Sequence, residues 1–468
     1  MNRIKVEVCG FDKLFGNNIS TKIPEYQRSY TWGIEKAEEL LNDFIEFFIN
    51  LKSKENYYLG SVLLHNNNNE LEIIDGQQRI TTLLIMKYIL KDDLSKDEKI
   101  KFNTIKSIKY IKEVQTYFEK NCESIYKLEK YNFFDRLEFT KITTSSADDA
   151  FSFFDTQNNR GIKLSPTDYL KAYHLRAIVN FEKSDELQEK KATSWERIGK
   201  QDTEPSLLDY LFERILWRAR NWRGSNIGFE NQDLLLVCFQ KQTKKSQKSN
   251  SYPFYKSKNN LKYESVNWSD EKSCKLIVNN SQLKSTINLP FSLRQPIHEG
   301  LNFFDYTEKY ATIYEMLFES RPSNNAMSKM RTFYDGIYDQ DMSIFLRDFI
   351  KLLLVSFYDS FGEFYIDKAI NHFDYIIGAM RIKLSKIKKE SITKYLKENP
   401  VNFIDLITNA YTPEEVFVGI RTQENIEQIY LDVVVDPDGT GVQARYVNRV
   451  ASHFHVDTLK DRKSWLDQ

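Results

Sequence analysis

Residues 57–91 read YYLGSVLLHNNNNELEIIDGQQRITTLLIMKYILK, and this stretch decides the fold of the amino-terminal part of the chain. Its apolar residues predict two strands, Tyr57–His65 and Glu70–Asp75, followed by a helix over Gln77–Lys91. The four asparagines between the strands, Asn66–Asn69, suit a hairpin turn because asparagine tolerates positive φ angles. The stretch therefore predicts a hairpin that leads directly into a helix.

The residues before this hairpin predict a short strand, a loop and a helix. Ile19–Ile23 is a strand candidate, and Pro24–Trp32 (PEYQRSYTW) is a loop. Apolar residues recur at helical spacing within Ile34–Leu51, so this segment predicts an amphipathic helix. The order strand, helix, hairpin, helix indicates a small α/β module over residues 1–95.

Helical periodicity dominates from Lys96 onward. The chain has only 16 glycines and 10 prolines in 468 residues, fewer than usual, which favours helix. We therefore expect an α+β protein, with a small α/β module followed by a large, mostly helical body. Asp432–Gly441 (DVVVDPDGTG) instead predicts a strand and a turn. The expected divisions are 1–95, 96–225 as a helical part of the same domain, 226–290 as a Lys/Ser/Asn-rich insertion, 291–412 as a helical domain, and 413–468 as a carboxyl-terminal module.

Composition excludes several classes of protein. Four cysteines without a CxxC pair exclude a zinc ribbon and argue against a disulfide framework. No apolar segment reaches the roughly 20 residues of a membrane span, and no signal peptide is recognisable, so we expect a cytoplasmic protein without a membrane partner. The 66 basic and 66 acidic residues give no net charge, which neither requires nor excludes nucleic acid because local clustering decides that.

The strongest chemical signal is IIDGQQRITTLL, Ile73–Leu84. The first N–H groups of a helix lack intrahelical partners and bind anions well. Gly76 would let backbone approach a ligand closely, and Arg79 is a bidentate donor suited to phosphate. Asp75 could hold a metal ion, orient a water or bind a ribose hydroxyl. The alternative is that Asp75 only caps the helix and Arg79 only pairs with a nearby acid.

Two further clusters could contribute to the same site. The loop Pro24–Trp32, called the aromatic loop below, carries Arg28. Together with Arg79, Arg28 would form a cradle for a triphosphate or a nucleic-acid backbone. Alternatively, its aromatic residues only pack under the following helix. Phe153–Asp168 (FFDTQNNRGIKLSPTD) predicts a helix, a tight turn and a second helix capped by Ser165. Its polar residues are site candidates, or only the caps of a helical hairpin.

PEYQRSYTW, YYLGSVLL, IIDGQQRITTLL and FFDTQNNRGIKLSPTDYLK occur in this order within about residues 10–220. As a set they resemble the N-terminal domain of the GmrSD type IV restriction enzymes and related phage-defence proteins, a ParB/sulfiredoxin-like domain with a DGQQR motif. The resemblance implies nucleotide binding and hydrolysis at that motif, used to regulate cleavage of foreign, often modified, DNA.

The resemblance implies roles for individual residues. Asp75, Arg79 and Arg28 would be catalytic, with Asp75 at a Mg²⁺ ion and Arg28 beside the leaving group. The implied cofactors are an NTP of unknown type and Mg²⁺. The nucleotide-binding residues would be Gly76, Gln77, Gln78, Gln27, Asn158 and Arg160. Gln157 departs from the family pattern, in which an apolar residue usually precedes that asparagine, and we expect the change to alter packing more than chemistry.

The carboxyl-terminal residues depart further from the family. Full-length relatives end in an HNH nuclease domain whose first strand carries a histidine, but this chain has NIEQIY, Asn425–Tyr430, with Gln428 at that place. Too few residues follow for the rest of the domain, so we expect no HNH activity of its own. A separate HNH subunit could supply the nuclease, and residues 413–468 could be a degenerate remnant of the HNH domain or could bind a partner. His453, His455 and Asp457 alternate and could ligate a metal ion, although surface residues are the favoured interpretation.

One basic stretch, Arg381–Lys397, opposes seven Lys/Arg with Glu390 alone. A solvated helix face is its first interpretation. The alternative is contact with DNA phosphates through Lys383, Lys386, Lys388 and Lys389.

Together these observations predict a nucleotide-binding and hydrolysing sensor or regulatory subunit of a phage-defence system that acts on foreign DNA. The expected partners are DNA, a separate HNH nuclease subunit and a second copy of the chain. One alternative is a ParB-like, metal-dependent DNA nuclease that uses the same carboxylate and arginines. Another is an interaction module without catalysis.

Overall fold

The chain forms two compact units. The first comprises residues 1–176 and 183–196, and the second comprises residues 177–182 and 197–468. The finer domain boundaries expected from the sequence stay predictions. The computed structural model describes residues 4–15, 19–24, 27, 29–67, 70–91, 94–95, 98–102, 105–146, 149–150, 153, 165–178, 184–199, 206–245, 252, 255, 264–270, 273–278, 291–340 and 342–466.

A five-stranded mixed sheet organises the first unit. Its strands are β1 (Ile4–Gly10), β2 (Ser20–Lys22), β3 (Tyr57–Asn67), β4 (Glu70–Asp75) and β5 (Leu137–Thr144). They lie in the order β1-β5-β3-β4-β2, with β1 antiparallel to β5, β3 antiparallel to β4, and parallel pairing elsewhere. The predicted hairpin is confirmed. Strand β5 lies within residues expected to be mainly helical, because it pairs with β1 and β3, which are distant in sequence.

Helices cover one face of this sheet. The core combines inward side chains of β3 and β4, such as Val62 and Ile73, with Phe44, Leu83 and Phe118 from three helices. The helix predicted at Gln77 is confirmed, and its side chains are buried around nearly its whole circumference. The helices of this part are α1 (Ile34–Phe44), its π-helical continuation (Ile45–Asn50), α2 (Gln77–Lys91), α3 (Ile105–Lys120), α4 (Cys122–Glu129), α5 (Pro166–Arg176) and α6 (Ser184–Ile198).

The second unit is mostly helical, which confirms the expected α+β class. No helix in the described part of the chain is long and apolar enough to cross a membrane. A separate antiparallel pair, β6 (Glu264–Asp270) and β7 (Ser273–Val278), falls within the predicted insertion. The helices are α7 (Leu207–Tyr210), α8 (Trp217–Asn221), α9 (Gln232–Leu236), α10 (Leu301–Phe318), α11 (Asn325–Phe333), α12 (Ile344–Phe361), α13 (Ile366–Lys383), α14 (Lys389–Glu398), α15 (Phe403–Asn409), α16 (Pro413–Arg421), α17 (Glu424–Leu431) and α18 (Val442–Phe454).

The carboxyl-terminal residues differ from the sequence-based expectations at three places. NIEQIY lies in helix α17, not in the first strand of an HNH domain. The strand predicted after Asp432 is reduced to a single bridge between Val434 and Thr458. His453 and His455 do not alternate along a strand, because His453 lies in α18 and His455 follows it in a left-handed conformation. Among the described residues, no three His, Cys, Asp or Glu side chains are grouped to hold a metal ion.

A buried ion pair joins the carboxyl-terminal segment to the centre of the second unit. Arg462 donates from Nη2 to Asp374 Oδ2 at 3.1 Å, and both side chains are fully buried. The Asp374 carboxylate also accepts from the hydroxyls of Tyr338 (2.8 Å) and Tyr446 (3.0 Å). Removing one member of a buried pair leaves its partner's charge uncompensated. Residues near the carboxyl terminus are therefore part of this unit's core.

We expect Arg462→Met to lower the free energy of unfolding by about 3–5 kcal/mol, because Asp374 stays buried without its cation. Chemical denaturation measures this loss. Lys463→Met is the matched control, since Lys463 pairs with Glu427 at the surface, and it should cost less than about 1 kcal/mol. Equal losses in the two variants would contradict a core role for Arg462.

Candidate functional site

The site begins where strand β4 passes directly into helix α2. Gly76 makes this junction with a φ of +93°, a conformation that costs other residues energy. A Cβ added there would lie 3.0 Å from Val62 Cγ2, so both backbone and packing require glycine. The Gly76 carbonyl accepts from the Ile80 amide at 3.0 Å. The first amides of α2 therefore follow the strand without an intervening loop.

Arg79 is held against strand β3 by its guanidinium group. Nη1 donates to the Leu59 carbonyl, and Nη2 donates to the Ser61 carbonyl at 2.7 Å. The Asp75 Oδ2 atom lies 3.9 Å from Nη2. The Arg79 side chain nevertheless stays 24% exposed and that of Asp75 35% exposed. The Arg79 guanidinium is thus held in place, and both charged groups of the DGQQR motif stay partly open to solvent.

Gly60 makes the anchoring of Arg79 possible. The register between β3 and β5 shifts between Tyr58 and Ser61, and Gly60 within this irregularity has a φ of +90°. A Cβ added to Gly60 would lie 2.6 Å from Arg79 Nη1. Sequence reasoning gave this glycine no role, although it lies inside the YYLGSVLL motif. The only signal was a glycine within a predicted strand, which often marks a bulge or a close approach.

Two of the predicted nucleotide-binding side chains are engaged with the protein itself. Gln78 Oε1 accepts from the amides of Thr31 (2.9 Å) and Trp32 (3.1 Å), and Gln78 Nε2 donates to the Ser29 carbonyl at 3.2 Å. Gln27 Nε2 donates to the Ile74 carbonyl at the end of β4. Both side chains are buried. In this structure they attach the aromatic loop to the β4–α2 junction.

Gln77 differs from its neighbour in its hydrogen bonding. Its side chain is 6% exposed, and its Oε1 atom accepts no hydrogen bond from the described residues. Such an unsatisfied buried acceptor is rare in folded proteins. It lies on the first residue of α2, beside the exposed Asp75.

The third sequence motif is joined to the aromatic loop through Glu196. Lys171, in helix α5, donates to Glu196 Oε1 at 2.7 Å, and the Ser29 hydroxyl lies 3.4 Å from Glu196 Oε2. The predicted cap of α5 is confirmed, because the Ser165 hydroxyl accepts from the Asp168 amide at 3.2 Å. Burial raises the pKa of the Asp168 carboxyl. Three motifs distant in sequence therefore meet in one unit.

The structure does not bring the other predicted site residues to this junction within its described part. Arg28, Asn158 and Arg160 lie outside the described residues. Among the predicted DNA-binding lysines, Lys389 pairs with the buried Glu230 at 3.0 Å. The other three are exposed to solvent: Lys383, Lys386 and Lys388.

We expect Gln78→Leu to cost about 1–3 kcal/mol of stability, because the amides of Thr31 and Trp32 would lose their acceptor. Chemical denaturation and faster hydrogen exchange of those two amides would both report the loss. Gln77→Leu is the matched control on the adjacent buried position. It should destabilise the chain much less, because the Gln77 Oε1 atom satisfies no donor among the described residues. The reverse order of effects would contradict these assignments.

Comparison with known families identifies both parts of the chain. Residues 11–175 match the GmrSD restriction endonuclease N-terminal domain, which confirms the resemblance stated from the motifs. Residues 187–430, more than half of the chain, match a family of unknown function, DUF7834. No curated protein matches the sequence. The chain therefore belongs to the DUF7834 family, and residues 11–175, in front of that match, are similar to the GmrSD restriction endonuclease N-terminal domain.

Proposed function

We propose that this chain is a nucleotide-binding and hydrolysing regulatory subunit of a phage-defence restriction system that acts on foreign DNA. The match to a restriction endonuclease domain supports a component of a restriction system, and with it DNA as the molecule on which the system acts. The chain would work in the cytoplasm, as one copy or several, with a separate HNH subunit that cuts the DNA.

One observation carries the nucleotide part of this proposal. Asp75 Oδ2, at the end of β4, lies 3.9 Å from Arg79 Nη2, in the first turn of α2, and both side chains stay partly accessible to solvent. A helix amino terminus attracts phosphate through its unpaired amides and its dipole. Arg79 keeps N–H groups beyond the two that bind β3, so it can add a charged donor to those amides.

The residues present fit an NTP with Mg²⁺. Mg²⁺ is commonly bound through one or two carboxylates together with substrate phosphates, and Asp75 supplies one accessible carboxylate. The buried acceptor Gln77 Oε1 has no donor among the described residues, and a hydroxyl or amino group of a nucleotide would supply one. When bound, Mg²⁺ would neutralise charge that develops on the phosphates.

The protein's own contribution would be positioning and electrostatic stabilisation. Arg79 cannot swing freely, because two β3 carbonyls hold it, so its charge would be in place before the reaction begins. Asp75 would orient the attacking water or the metal ion. Gln78 and Gln27 would act indirectly, by keeping the described part of the aromatic loop beside the junction.

We expect purified protein with Mg²⁺ to release phosphate from at least one of the four ribonucleoside triphosphates, with a rate that changes when DNA is added. Arg79→Ala should lower kcat/KM at least 100-fold, comparable to the loss of one preorganised donor. Arg136→Ala is the matched control, because Arg136 also donates to two backbone carbonyls, those of Ser53 and Glu55. It should retain wild-type turnover.

Two results would contradict the proposal. One is full nucleotide affinity and turnover in Arg79→Ala. The other is the absence of turnover with all four nucleotides. The same samples analysed on a gel would then distinguish the alternatives, since metal-dependent DNA cleavage lost in Asp75→Asn indicates a nuclease, and intact DNA indicates a binding module.

We expect Gly60→Ala to reproduce part of the Arg79 defect without altering a charged group. The added Cβ would displace Arg79 Nη1, and the left-handed backbone would cost a further 1–3 kcal/mol or so. The nucleotide Kd should rise, and the thermal midpoint of unfolding should fall. Gly10→Ala is the control, because its Cβ would meet only the Leu137 carbonyl at an ordinary 3.7 Å. Wild-type nucleotide affinity in a folded Gly60→Ala protein would refute this positioning role.

A further inference from the structure

A second candidate site lies wholly within the helical unit. A cavity of about 530 Å³ opens between the end of α13, helix α14 and helix α17. This volume falls within the range of small-molecule and cofactor sites, about 300–1,000 Å³. The DGQQR motif contributes no residue to its lining, so the cavity requires an explanation of its own.

The lining of this cavity combines an apolar floor with hydrogen-bonding side chains. Met380, Leu384 and Ile426 supply apolar surface, and Gln423 and Asn399 supply amide groups. Gln423 Nε2 donates to the Gly419 carbonyl and Asn399 Oδ1 accepts from the Val401 amide, so the Gln423 oxygen can still accept and the Asn399 nitrogen can still donate. Apolar contact on the faces of a ring and amide groups at its edges are what a nucleobase requires.

A tyrosine at the cavity adds an aromatic ring. Tyr395 lies on α14 and also lines the cavity, with its ring stacked on that of Phe403 at a centroid distance of 6.4 Å and an angle of 19°. Burial raises the pKa of the Tyr395 hydroxyl to about 12, so it stays protonated as a potential donor.

The rim of the cavity is basic. Lys383 and Lys394 line it together with one acid, Glu398, and the exposed Lys386 and Lys388 follow Lys383 along the connection to α14. Lys394 lies 3.8 Å from Glu398 at the surface. Lys383 and Lys386 form no ion pair with any residue that the structure describes. Unpaired lysines beside a cavity favour a ligand that carries phosphate.

We propose that this cavity binds one unstacked nucleotide, with its base between Met380, Leu384 and Ile426 and its phosphate at Lys383. The inference rests on the proposal that the chain acts on DNA, and it names where a nucleotide of the strand is held. The nucleotide could come from a DNA strand or be free in solution. An acidic peptide would use the lysines but would not require the apolar floor.

The test is fluorescence anisotropy of a short labelled oligothymidylate, without NTP, on the full chain. Leu384→Trp puts a larger side chain into the proposed base position and leaves the lysines unchanged, so it should weaken binding by about 10-fold or more, within the range measured for loss of one stacked base. Lys383→Ala should weaken binding several-fold and reduce the slope of log K against log salt by about 0.7. Val418→Trp and Lys460→Ala, at exposed positions elsewhere, should leave both measurements unchanged.

Competition with dTMP and with polyglutamate distinguishes the ligands. Displacement by dTMP supports a free nucleotide, and binding of the oligonucleotide alone supports a strand. Absence of oligonucleotide and dTMP binding to wild type, unchanged binding by Leu384→Trp, or equally strong displacement by polyglutamate would overturn the proposal. Arg79→Ala should bind the oligonucleotide like wild type. Failure of the proposed NTPase activity is therefore distinguishable from failure of the proposed nucleotide binding in the cavity. Loss of oligonucleotide binding in Arg79→Ala would instead assign the DNA to the DGQQR motif.

Discussion

The hydrogen bonds between the Arg79 guanidinium and strand β3 are the contact on which the candidate site depends. Its guanidinium reaches the carbonyls of Leu59 and Ser61 only because Gly60 between them lacks a Cβ. This contact ties the first turn of α2 to the centre of the sheet, with Asp75 alongside. A charged group that is already oriented loses little entropy when it binds a ligand. The geometry therefore suits tight and specific binding of an anion.

Gln77 and Gln78 are adjacent in the sequence, but their side chains differ in hydrogen bonding. Gln78 binds three backbone groups of the loop at residues 29–32, whereas Gln77 keeps an unsatisfied acceptor. The motif of five residues thus contains supporting side chains as well as the partly exposed Asp75 and Arg79. The loop is further attached through Glu196 to Lys171. The architecture around the motif consists largely of polar contacts that position a few exposed groups.

The sequence predicted the hairpin, helix α2 and the α5 cap because turn chemistry, periodicity and capping act over a few residues. It did not predict β5 as a strand, since Leu137–Thr144 is stabilised by β1 and β3, which lie far away in the chain. Nor could it separate Gln77 from Gln78, because the partners of Gln78 come from another loop. NIEQIY was misassigned because a short apolar pattern fits a strand or a helix, and packing in the second unit decides between them.

Hydrogen–deuterium exchange on the full chain, with Mg²⁺ and each nucleoside triphosphate, tests directly whether a nucleotide phosphate binds at the amino terminus of α2. The first amides of α2 have no intrahelical acceptor, so a phosphate bound there would be their partner. We expect new protection of the amides of Gln77, Gln78 and Arg79 at saturating nucleotide, together with protection near Gly60. Protection confined to other segments, or none with any nucleotide, would contradict it.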